Sequence, residues 1–61
     1  MSYAIKVQGK DVYFAGWDCL GEINISKSKD MVYRMRKMVA QKNIEKVERF
    51  THEKCEIIEV V

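Results

Sequence analysis

"DMVYRMRKMVAQKN", residues 30–43, is the stretch whose reading decides the fold. Wound as one helix from Lys29 to Thr51, it lines Met31, Met35 and Met38 on one stripe and Val32, Val39 and Phe50 on the next. Ala40, Ile44 and Val47 then lie beyond both, and the apolar arc widens to roughly 240°, too wide for one side of a small domain. A break removes the conflict. If residues 31–35 are extended, Met31, Tyr33 and Met35 share one face, and Val32, Arg34 and Arg36 share the other. A helix starting near Lys37 then gathers Val39, Ala40, Ile44, Val47, Phe50 and Thr51 into a stripe of about 140°, an ordinary core face. Gln41, Lys42, Glu45, Glu48, Arg49 and His52 fall on the outside, where Glu45 and Arg49 make a favourable i,i+4 pair. The strand-then-helix reading is the one adopted.

Upstream, "SYAIKVQ" (2–8) alternates Tyr3, Ile5 and Val7 with Ala4, Lys6 and Gln8, which predicts a strand with one apolar face. Gly9-Lys10 suits a tight hairpin with glycine first. "DVYFAGW" (11–17) predicts a second strand with Val12 and Phe14 on one face and Tyr13, Ala15 and Trp17 on the other. Both faces are apolar, so something is expected to cover the second one. "DCLG" (18–21) is a turn, "EINIS" (22–26) a short strand, and "KSKD" (27–30) a polar loop of turn or helix-start character. Downstream of the helix, "CEIIEVV" (55–61) is β-branched and apolar, bounded by the polar "THEK", and predicts a closing strand. The expected fold is therefore α+β over residues 1–61 as one domain: an antiparallel sheet of three or four strands packed on one main helix, in the order ββ(β)αβ.

A chain of 61 residues has a small core and a thin stability margin. It has no apolar run of membrane-spanning length and no secretory leader pattern, which implies a cytoplasmic protein with no membrane partner. Cys19 and Cys55 are too few for a secreted disulfide framework; a bridge between them depends on whether the fold brings them together. Charge is uneven. Residues 27–49 carry eight basic and three acidic side chains, whereas both flanks are net acidic. The middle third is thus the region to examine for a partner.

The pattern of an opening strand pair, then Val32 to Met35, Ala40 to Val47 and Glu56 to Val60, resembles small uncharacterised proteins encoded by phages and prophages of Gram-positive bacteria. In those, a strand pair precedes a short strand, an alanine-containing helix and a final "EIVEV"-like strand. The resemblance implies a phage-associated accessory role and brings no catalytic residue with it.

The residues themselves argue against chemistry. One histidine, His52, and two distant cysteines fall short of a zinc site, and no CxxC or HxxxH spacing occurs. No catalytic residue, cofactor site or metal site is expected. Asp18 beside Cys19 disfavours its thiolate, and Cys55 with His52 has no third orienting group. No glycine-rich phosphate loop is present; Gly16 and Gly21 fit turns. Two binding readings remain. A protein-binding module would use Trp17, Tyr33, Arg34, Arg36 and Lys37, aromatics and arginine being favoured interface material; Trp17 packed over the helix is the alternative at that position. A weakly basic nucleic-acid-binding module would track phosphates with Lys27, Lys29, Arg34, Arg36, Lys37 and Lys42 and stack bases on Tyr13, Trp17 or Tyr33. A partner protein, of host or phage, is favoured over nucleic acid. The two-faced strand and the small core also suggest a homodimer through a sheet edge or the second sheet face.

Overall fold

The computed structural model describes residues 2–60. Four strands, β1 (Ser2–Val7), β2 (Tyr13–Trp17), β3 (Ile23–Ser26) and β4 (Cys55–Val60), form one sheet in the order β3-β2-β1-β4, every neighbour antiparallel. One helix, α1 (Lys37–Thr51), follows a single 3-10 turn at Lys29–Met31. This is the expected α+β fold with the expected element order. Val61, the last residue of the predicted closing strand, lies outside the described residues.

β1 and β4 pair along their full length, from Ser2 opposite Val60 to Val7 opposite Cys55. The β1–β2 pairing is brief, with Lys6 opposite Tyr13 and the Val7 amide donating to the Val12 carbonyl at 2.8 Å. The chain turns between them with the Lys10 amide bonded to the Val7 carbonyl at 3.3 Å. Gly9 therefore sits third in its turn, at φ 76°, rather than leading it as the sequence suggested.

Beyond that hairpin, β1 and β2 part, and the 33–35 segment fills the gap. Tyr3 and Met35 exchange both backbone hydrogen bonds on the β1 side, and the Tyr33 amide donates to the Phe14 carbonyl at 2.9 Å on the β2 side. The segment is antiparallel to β1 and so runs in the same direction as β2. The break before Lys37 is thus present, and extended backbone does precede the helix. Met31 departs from the expected face: it ends the 3-10 turn and lies exposed. Val32 departs too. It is buried with Ala4, Tyr13 and Val60, with Ile58 packed against them, on the sheet face away from the helix. That cluster is the cover that the two-faced β2 requires.

The main core lies between α1 and the sheet. Ala40 and Val47 meet Ile5, Val7, Phe14, Met35 and Cys55, with Ile44 and Ile57 packed at the edge. α1 lies over β1 and β4 and does not reach across β2 and β3. Its buried stripe is consequently narrower than predicted. Val39 and Phe50, expected in the core, are exposed, because the sheet area beneath the helix is only two strands wide. The helix closes at His52, which adopts the left-handed conformation (φ 59°, ψ 27°) as its C-cap. The Cys55 amide, where β4 begins, donates to Glu48 Oε2 at 3.0 Å, tying the end of α1 to the start of β4.

Candidate functional site

Gly16 builds the site. Residue alternation alone would place Trp17 on the face opposite Phe14. The β2–β3 register instead shifts between Phe14 and Trp17, with Phe14 opposite Ile25 and Trp17 opposite Ile23. Gly16 sits in this irregularity at φ 96°, a conformation that side-chain-bearing residues rarely adopt. The extra residue brings Trp17 round to the Phe14 side, which corrects both the face predicted for Trp17 and the turn role given to Gly16. The missing side chain also makes room: a Cβ at residue 16 would stand 3.0 Å from Tyr33 Cδ1.

Three rings meet there edge to face. Phe14 and Trp17 have centroids 5.0 Å apart at 79°, Phe14 and Tyr33 5.7 Å at 67°, and Trp17 and Tyr33 5.4 Å at 76°. Such T-shaped pairs add about 0.5–1.5 kcal/mol each beyond their buried area, so the rings hold one another in place. Phe14 is fully buried and forms the floor, whereas Trp17 and Tyr33 each keep 41% of their surface exposed. Ile25, Phe14's partner across the sheet, is also exposed. The result is an apolar, aromatic surface at the β2–β3 end of the sheet, where α1 does not reach.

Trp17 and Tyr33 are thus brought together; the basic residues singled out with them are not. Arg34, one residue along the extended segment from Tyr33, points to the other face. There it lines a shallow depression of about 220 Å³ with Lys29, Asp30, Val32, Glu59 and Val60. Two basic and two acidic side chains share that lining, so it offers no consistently charged surface. Arg36 is the N-cap of α1 and Lys37 its first residue, both exposed. Phe14, Gly16 and Ile25 were not singled out as site residues. The one signal for them is the glycine inside an otherwise strand-like run, which marks a bulge or a close approach.

The cysteines are free. Cys19 is exposed in the β2–β3 turn. There Asp18 Oδ1 accepts the Leu20 and Glu22 amides, each at 2.9 Å. Cys55 is buried beneath the last turn of α1, its Sγ 3.9 Å from Thr51 Oγ1. Burial pushes the Cys55 thiol up; the Thr51 contact works in the opposite direction, and the charges of Glu48 and Glu53 add to the rise. A thiol so placed stays protonated and is a poor nucleophile. Among the described residues, no three His, Cys, Asp or Glu side chains are grouped as a metal ion would require. No described helix is long and apolar enough to cross a membrane.

The chain matches no family model, no curated relative and no solved structure.

Proposed function

We propose that this chain is a non-enzymatic, cytoplasmic accessory protein of the phage or prophage type, which binds a partner protein through the Trp17–Tyr33 surface. One observation carries the reading: two large rings are held in fixed orientation by a buried third ring and left half-open to solvent. Rings fixed in this way contribute contact area with little further loss of side-chain freedom on binding, which is why Trp and Tyr dominate interface energetics. A protein partner is favoured over nucleic acid because Arg34, the basic side chain nearest Tyr33 in sequence, lies on the opposite face. A stacking platform for bases needs phosphate-binding cations beside its rings.

The test compares the chain with Trp17→Ser and Tyr33→Ser variants as immobilised baits against bacterial and phage-infected extracts, the folding of each variant being checked by circular dichroism. The reading expects proteins retained by the parent, resistant to moderate salt, and lost from both variants. Retention that ignores both substitutions overturns it. Salt-sensitive retention of random-sequence DNA or RNA would favour the nucleic-acid reading instead.

A further inference from the structure

The sheet has two edges, and they are not equivalent. At β4, Glu56 and Glu59 are interspersed along the strand, α1 lies alongside, and the first amide is already bound by Glu48. Charges on an edge strand are a common guard against unwanted pairing. β3 has no such guard. Ile23–Ser26 contains no charged residue and no proline, and both Asn24 and Ile25 are exposed. Its inner side pairs with β2, so its outer side presents unpaired amides and carbonyls to solvent.

We propose that β3 is a self-pairing edge. Two copies of this chain join antiparallel along Ile23–Ser26, with Asn24 of each copy facing Asn24 of the other, and form one continuous sheet. Two observations point to a second copy as the occupant. The first is register. A two-fold axis normal to the sheet at Asn24 sets Ile23 of each copy opposite Ile25 of the other, an apolar cross-strand pair made twice on the helix-side face. The same register sets Glu22 opposite Ser26, so no like charges oppose each other. The second is charge. Glu22, just before β3, comes next to Lys27, just beyond the end of β3, of the other copy. A strand with acid at one end and base at the other is complementary to itself when reversed. The pairing stands independently of the role given to Trp17 and Tyr33. It keeps both Trp17–Tyr33 surfaces on the same side of the joined sheet, between the two helices.

The test uses the full chain carrying Cys19→Ser, which removes the exposed thiol. Sedimentation equilibrium at high protein concentration should give the dimer mass, and self-association should weaken as salt rises. Asn24→Lys places two like charges across the axis and should weaken association by about tenfold, with an unchanged circular dichroism spectrum. Asn24→Cys in the same background should yield a disulfide-linked dimer under mild oxidation, because opposed Cα atoms in an antiparallel pair lie within disulfide reach. Gln41→Cys, on the outer side of α1, should not. A monomer at millimolar concentration overturns the proposal. So does a dimer that is indifferent to Asn24→Lys and not captured by Asn24→Cys. Should the lysine variant fail to fold, the cross-linking pair decides alone.

Discussion

Tyr3 and Met35 donate to each other's backbone carbonyls at 2.8 and 2.9 Å, closing a narrow two-bond ring between the first strand and the segment that leads into the helix. This pair and the Tyr33–Phe14 bond turn a connection into part of the sheet. Met35 then fills the main core from within the sheet layer.

Amide exchange reads this arrangement directly. The Tyr33 and Met35 amides are bonded to Phe14 and Tyr3, so both should exchange slowly, close to the rate set by global unfolding. The exposed Arg34 between them should exchange fast. A slow–fast–slow pattern over 33–35, measured by NMR, is the expected result. Uniform protection from Lys29 to Thr51 would mean continuous helix and would contradict the fold.

Gly16→Ala should destabilise the chain by about 1–3 kcal/mol, the usual cost of forcing a side-chain-bearing residue into a left-handed conformation. The new methyl would also crowd the Tyr33 ring, standing 3.0 Å from its Cδ1, so the ring would have to shift. The near-ultraviolet circular dichroism of the Trp17–Tyr33 pair should weaken in the same variant. A variant with unchanged melting and an unchanged aromatic spectrum would show that the bulge is not needed to hold the rings.

The element order and the break before Lys37 were legible because both rest on periodicity, and only one arrangement of residues 30–43 gives the helix a face of normal width. Two things were not legible. Alternation counts residues, and the bulge at Gly16 adds one, so Trp17 was assigned to the wrong face while Phe14 was assigned correctly. The width of the helix's buried stripe is set by what lies beneath it. Val39 and Phe50 match the core pattern yet flank a helix that lies over two strands. The consequence is measurable. Val47→Ala, at a site 1% exposed, should cost about 1–3 kcal/mol, scaled from losses at other buried aliphatic sites. Phe50→Ala, at a site 49% exposed, should cost clearly less despite removing a larger side chain. Equal losses in urea unfolding would restore the wider stripe.

The two thiols should behave differently. Cys19 is exposed and should react with a thiol reagent in the folded protein, whereas Cys55 should react only on unfolding. The pH dependence follows from the direction of the Cys55 shift. Its thiol is raised in the folded chain above the ordinary value of 9.0, chiefly by burial. The neutral form is thus the one the fold favours, and this contribution is fully present below about pH 9 and lost as pH rises through the folded value. Cys55→Ala should flatten the alkaline fall in stability and cost some packing near neutral pH. An alkaline limb identical in parent and variant would assign the loss to other groups.

Arg34 and Arg36 are both exposed cations just before the helix. The structure separates them. Arg36 is the N-cap of α1, extended at φ −73° and ψ 154°, with no side-chain cap and no acidic residue in the first turn. The first amides of the helix thus lack a side-chain acceptor, and Arg36 and Lys37 place positive charge at the positive end of the helix dipole. Arg36→Asp supplies an acceptor for the second or third amide and reverses the charge, so it should stabilise the chain by about 1–2 kcal/mol. For a domain near this size that is a rise in Tm of roughly 4–8 °C per kcal/mol. Arg34→Asp, on the other sheet face beside Glu59, has no helix end to cap and should give no such gain. Comparing Arg36→Ser with Arg36→Asp divides the effect. The hydroxyl supplies only the hydrogen bond, and the difference between the two variants is electrostatic and should shrink as salt is raised. If neither variant melts above the parent, residues 36 and 37 do not form the start of the helix.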